Sequence, residues 1–307
     1  GRGVGAVKEM AFAWRFGVGP AADAYTFIFF VLSYPMGFLT SVYATALVPV
    51  AKRSLPEQRA TFRSELLGVS LILGVVATAI TGSGMYTLVQ WPSLGLSSEA
   101  VRIALPAIWI MALIVLPGFL NALFSAWILE KGKHANTLLE ALPSLFVLGG
   151  LLFFSDHSIV PLAIVTTAGF MFQSLYLGFL IRRDDGPQQV RFWASSPLWG
   201  RFLRTAAIIF VSQGLLTMVQ VVDTFFAASI GDNGSVATLG FANRFLSLLI
   251  GLGGTTISRA AISVFSENGL KSARLRQISQ RWLLVLFAGG TVVVLVVWLA
   301  APVIVRL

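Results

Sequence analysis

The chain contains no cysteine. Its absence excludes a disulfide framework, thiolate-bound metal and thiol catalysis. Histidine occurs only at His134 and His157, both in short segments between apolar runs. No His/Asp pair or metal-ligand cluster can be assembled from such a set, and the Gly-rich Walker A pattern for ATP is also missing. No enzyme chemistry and no cofactor are expected. Charge is scarce, at 11% of residues, where soluble domains carry about 25%. A solvated surface on all sides is therefore excluded. The first basic-to-apolar transition runs straight into a helical pattern, so no cleavable signal peptide is expected. The chain starts at Gly1 rather than Met, which suggests a trimmed N-terminus.

What fills the chain instead is apolar. Hydrophobic residues make up 56% and mean hydropathy is +0.83. The apolar runs do not alternate with the period of two that barrel strands need. They are long enough for helices, which require about 20 residues to cross a bilayer core. An all-α polytopic membrane protein follows. Breakers divide it into about nine spans, near 3–17, 23–51, 64–90, 99–129, 135–154, 159–181, 202–229, 235–265 and 282–305. Short connections predict antiparallel hairpins. The loops alternate in charge. Segments 52–63, 130–134, 182–191 and 271–281 are basic, whereas 18–22, 90–98, 155–158 and 231–235 contain no Lys or Arg. The positive-inside rule places the basic loops and the N-terminus in the cytoplasm. The net charge of +9 then reflects topology and contact with anionic lipids. It is spread over separate loops rather than one face, which argues against a nucleic-acid partner.

Sliding the chain on itself by 214 residues aligns "VKEMAFAWRFG" (7–17) with "VVDTFFAASIG" (221–231). Val7, Phe12, Ala13 and Gly17 match Val221, Phe226, Ala227 and Gly231, and Glu9 falls on Asp223. The register continues without a gap through Phe27/Phe241, Gly37/Gly251 and Val50/Val264. The offset covers six spans, an even number, so both copies enter the membrane in the same sense, as parallel repeats. The expected division is a first lobe at 1–185, an interfacial linker at 186–201 and an incomplete second lobe at 202–307. On that count the chain is a C-terminally truncated piece of a protein with at least 12 spans.

Charges inside a membrane are costly and usually face a wet cavity or one another. Arg2, Lys8, Glu9 and Arg15 sit on the first span, with Arg2/Glu9 and Lys8/Arg15 each seven residues, two turns, apart. Gln213, Gln220 and Asp223 form a polar stripe on the seventh. The eighth carries Asn243, Arg244 and a Gly/Ser stripe. Asn121 and Gln173 are isolated polar points, and Pro143 is expected to bend the fifth span beside Glu140. Blander readings stand beside these. Arg15 snorkels, Asp23 caps its own helix, Asp223 is solvated, and the Gly/Ser stripe serves packing. Together the charges favour a cavity between the two halves, and the cations in it favour an anionic, phosphate-bearing substrate.

The stretch "VKEMAFAWRFGVGPAADAYTFIFFVLSYPMGFLTSVYATALVPVAKR" (7–53) resembles the first two helices of the MurJ/MviN family of the MOP flippase superfamily. The family's Gly-Phe-x-Arg-Asp segment reads Gly5-Ala6-Val7-Lys8-Glu9 here. Its Phe-Gly turn is Phe16-Gly17, its Asp-Ala-Phe helix start is Asp23-Ala24-Tyr25, and its Ala-Phe-Val-Pro end is Ala46-Leu47-Val48-Pro49. "GSVATLGFANRFLSLLIGL" (234–252) is similar to the family's eighth helix. The resemblance implies a MOP-type two-lobe bundle with about 9 of an expected 12–14 helices present. It implies a monomer in the bacterial inner membrane that flips a polyprenyl-diphosphate-linked saccharide, with membrane lipids as its surroundings and H+, Na+ or the membrane potential as driving source.

By position, Arg2, Lys8, Arg244, Gln220 and Asn243 are the implied substrate-binding residues, and Glu9, Asp23 and Asp223 the gating or ion-coupling ones. The chain departs from the lipid II pattern in "VLSYPMGFLT" (31–40), which lacks the paired arginines, in Asn243 for the usual Asp, and in "ISVF" (262–265) for Leu-Pro. An exopolysaccharide or other surface-glycan precursor fits as well as lipid II. A MATE-type cation-coupled drug or metabolite antiporter using Glu9 or Asp223, and an inactive membrane scaffold, are the alternatives.

Overall fold

The computed structural model describes residues 2–52, 54–91, 96–131, 139–154, 158–229 and 234–243, with a few positions between 284 and 295. All regular structure among them is helical. Contacts separate a compact unit, Gly1–Phe245, from a second, Leu246–Leu307. The second is described mainly by one helical stretch at 287–292. Most of the spans expected at 235–265 and 282–305 lie outside the described residues.

In the first unit, α1 (Arg2–Phe16) ends at Gly17, whose φ of +59° suits glycine. Then α2 (Pro20–Val42) starts with proline in its first turn, where a missing N–H costs nothing. It passes through a π turn (Tyr43–Leu47) into α3 (Val48–Lys52). Pro49 supplies the reason: its ring cannot tolerate the ordinary i→i−4 ladder, and the wider turn before it makes room. The helix α4 (Pro56–Val89) has 34 residues. At 1.5 Å each that is about 50 Å, more than a bilayer core, so one end projects. The polar end is the first, with Glu57, Arg59 and Arg63.

The span expected at 99–129 is broken into α5 (Ser98–Ala112) and α6 (Val115–Glu130), bent by 41°. Pro117 is the cause: it leaves the Leu113 carbonyl without a donor and crowds it. Next come α7 (Leu142–Phe153) and α8 (Ile159–Asp185). Pro143 lies in the first turn of α7, and residues 132–138 of the span expected before it lie outside the described residues. Last is α9 (Leu198–Ser229), followed by a helical stretch at 235–243. Three helical runs, Pro20–Ala51, Pro56–Val89 and Ile159–Asp185, are long and apolar enough to cross a bilayer, and the bent α5–α6 pair makes a fourth. Ile80 on α4, Leu175 on α8 and Leu215 on α9 stay largely exposed. Outward-facing apolar side chains suit a lipid-solvated surface.

At the end bearing the basic loops, ion pairs tie three helices together. Arg63 reaches Glu130 at 2.8 Å and Asp185 at 3.1 Å, while Lys131 reaches Asp185 at 2.6 Å. The Arg63 guanidinium also lies 5.6 Å over the Trp127 ring. The segment between α8 and α9 is strapped to α4 by Glu65, whose side chain is fully buried. Its carboxylate accepts from Ser195 N (3.0 Å), Ser196 N (3.1 Å), Trp199 Nε1 (2.7 Å) and the Ser195 hydroxyl. A buried carboxylate is tolerable only with such satisfaction. Trp199 packs edge-on to Phe62 beside it.

Residues 214 apart in the chain meet in the packing. Asp23 Oδ1 accepts from Ala237 N at 2.7 Å, a separation of 214 residues. Thr26 and Gly240, three residues further along both helices, are also in contact. Phe12 meets Phe241, and Phe27 meets Phe225, one position from the symmetry mate of the first pair. Equivalent residues touching one another is what a pseudo-twofold axis between two copies produces.

Candidate functional site

Two features stand out, a polar cavity and a latch. The cavity, about 380 Å³, lies inside the first bundle and is lined by α1, α2, α6, α7 and α8. Lys8 reaches it from α1, paired with the neighbouring Glu9 carboxylate. Arg15 donates from Nη1 to the Leu151 carbonyl at 2.9 Å, which ties α1 to α7. Deeper in, Asn121 Nδ2 donates to Gln173 Oε1 at 3.1 Å. Both side chains are buried, and Asn121 Oδ1 has no partner among the described residues. The Tyr25 hydroxyl bonds Thr166 Oγ1 at 2.9 Å, and Phe29 stacks on Tyr25 at 6.0 Å. The Lys8 ammonium stands 5.8 Å over Phe29, close enough for a cation–π contact.

The latch joins the start of α2 to the turn before 235–243. Asp23 is buried. Its two oxygens accept from the backbone N–H groups of Gly234 and Ala237, the orphan donors of a helix start. Asp23 therefore caps a helix 211 residues away in the chain. It does not cap α2, whose N-cap Gly19 has no side-chain bond. Gly234 has φ of +90°, and a side chain there would strike Val18. A side chain on Gly240 would meet Thr26 Cγ2 at 2.7 Å. Glycine at both positions lets the repeats approach.

The sequence-predicted residues divide accordingly. Lys8 and Glu9 meet at the cavity, and Asp23 forms the latch. Asp223 is exposed on α9, and Asn243 is half-buried at the end of the described helical stretch. The side chains of Arg2 and Gln220, and all of Arg244, lie outside the described residues, as does any chamber between the halves that needs them. Asn121 and Gln173, isolated in the sequence, are brought together 3.1 Å apart by the packing of α6 on α8. Glu65 is a residue the sequence reading missed. Its signal was an acid immediately before an apolar run that begins at Leu66.

Apolar helices packed around a polar cavity, with one proline-broken span, define a helical membrane bundle, and solved structures share its fold. An inward-facing MATE multidrug-resistance transporter of the MOP superfamily superposes with a TM-score of 0.74 at 18% identity, over 98% of this chain and 71% of its own. The lipid II flippase MurJ in an inward closed conformation gives 0.68 at 20% identity, over 87% of this chain and 57% of its own. A MOP superfamily transporter from Pyrococcus furiosus gives 0.62 at 20%, over 81% and 57%. No curated protein matches the chain. The fold is thus the one that these MOP-superfamily transporters have. A family model, that of the lipid II flippase MurJ, matches residues 12–307. The chain belongs to that family.

Proposed function

We propose that the protein carries a polyprenyl-diphosphate-linked saccharide across the bacterial inner membrane by alternating access. Lys8 is the observation that carries this reading: a cation in an apolar bundle, lining a polar cavity and held by Glu9. An ion pair of this kind stores a cation at low cost until a diphosphate competes for it. Arg2, Arg244, Gln220 and Asn243 complete the binding set. The basic loops and the N-terminus face the cytoplasm, so the Asp23 latch closes the outer end while the cavity receives substrate from inside. Release of the latch lets the repeats part and opens the outer side. Asp223 is the coupling acid on α9. The absence of arginines from residues 31–40 favours a surface-glycan precursor at least as much as lipid II.

The test is complementation of glycan export by Lys8→Ala, Arg2→Ala and Arg244→Ala at matched membrane abundance. Each is expected to abolish export, and full export by all three would overturn the phosphate role. A cation-coupled antiporter is the second reading, supported by the fold match to the MATE transporter. Efflux of cationic drugs with no glycan phenotype on deletion would favour it.

A further inference from the structure

Besides Lys8, the cavity is lined by two buried amides, Asn121 and Gln173, and by the rings of Tyr25, Phe29 and Phe170. The Asn121 Nδ2 group spends itself on Gln173 Oε1 (3.1 Å) and the Phe170 carbonyl (3.4 Å). This orients both amides. It leaves Gln173 Nε2 as a donor at the cavity, held in place by Asn121, whose own Oδ1 is wholly buried.

Size and charge narrow the ligand. The cavity, about 380 Å³, lies at the lower end of small-molecule sites and would hold roughly a dozen waters at about 30 Å³ each. A bare cation would leave it mostly water, and the charged lining is one ammonium, Lys8, and one acid, Glu140, rather than a carboxylate cage. Among the described residues no group of three His, Cys, Asp or Glu could hold a metal. A hydroxyl-bearing ring fits better, because each hydroxyl both donates and accepts and the C–H face of a ring packs on aromatic planes.

We propose that this cavity is a sugar subsite: Gln173, positioned by Asn121, gives its Nε2 to a hydroxyl of one pyranose ring of the cargo, seated among Tyr25, Phe29 and Phe170, with Lys8 at the diphosphate. The assignment rests on the lipid-linked saccharide reading and adds which residues select the sugar. It predicts a division of labour: Lys8 recognises the diphosphate whether or not a sugar is attached, and the amides recognise only the sugar.

The experiment measures binding to the purified full chain in nanodiscs. The two probes are a short-chain prenyl diphosphate carrying one hexose and the same prenyl diphosphate without it. Wild type is expected to bind the sugar-bearing probe more tightly. Asn121→Ala and Gln173→Ala are each expected to weaken that probe about tenfold and to leave the sugar-free probe within twofold. Ser125→Ala, which removes a cavity-lining hydroxyl bonded to the Asn121 backbone carbonyl one turn earlier, guards against misfolding of the amide variants. It should give a milder loss confined to the sugar-bearing probe. Lys8→Ala should weaken both probes equally. Equal affinity of wild type for the two probes, or equal losses on both in the amide variants, overturns the sugar subsite while leaving the flippase reading standing. Stabilisation by Na+ that Asn121→Ala removes, with no preference between probes, also overturns it. Failure of wild type to bind either probe overturns both.

Discussion

Thr26 and Gly240 offer a direct test of the latch. An ideal Cβ on Gly240 lies 4.0 Å from Thr26 Cβ, inside the 3.5–4.5 Å range of disulfides. The one steric obstacle is Thr26 Cγ2 at 2.7 Å, and a cysteine at 26 deletes that methyl. Gly240 shows no positive φ, so a side chain is tolerated there. The chain has no other cysteine to scramble the pairing. The double variant Thr26→Cys/Gly240→Cys should therefore crosslink nearly completely under mild oxidant. Joining residues so far apart in sequence restrains the unfolded chain by about 5 kcal/mol, so the oxidised melting temperature should rise. The bond should hold the outer end shut. Transport of a labelled lipid-linked sugar in proteoliposomes should stop on oxidation and return with reductant. Gly240→Cys alone keeps the Thr26 methyl in its way and should weaken the latch without redox dependence. Efficient crosslinking with undiminished transport would falsify the idea that these helices part during the cycle. No crosslink would show that they do not meet as described.

Other outcomes follow from single residues. Asp23→Ala removes two charge-assisted bonds to backbone N–H groups. At roughly 1.5 kcal/mol each, the latched form loses about a hundredfold in population, readable as an increased spin-label distance between the start of α2 and residue 238. Glu65→Ala leaves four donors around an emptied site. It should cost about 3–5 kcal/mol, seen as a large drop in thermal stability and as faster proteolysis at 190–197. Gly68→Ala drives a methyl into the Arg191 carbonyl and should loosen the same strap, whereas Gly84→Ala, with open space around it, should be near neutral. Arg63→Ala leaves Glu130 and Asp185 short of a partner at the basic end. It should destabilise by roughly 2–4 kcal/mol, partly mimicked in wild type by high salt.

Much of this architecture was legible in one dimension. Apolar runs with proline and glycine punctuation are local properties, so the helices near 23–51, 64–90 and 159–181 could be read from the residues they contain. The alternating loop charge needed no coordinates either, nor did the 214-residue register or the family likeness of Lys8-Glu9 and Asp23. Tertiary structure decided the partners. Lys8 pairs with the adjacent Glu9, and Arg15 turns to a carbonyl on α7. Asp23 caps a helix of the other repeat. Asn121 and Gln173 meet across two helices, and Glu65 holds a distant strap. The reason is physical. Helix formation is settled within a few residues by propensity, hydropathy and backbone sterics. A buried polar group must instead find whatever complement the packing of distant segments brings within about 3 Å, and that distance is not written in any local pattern.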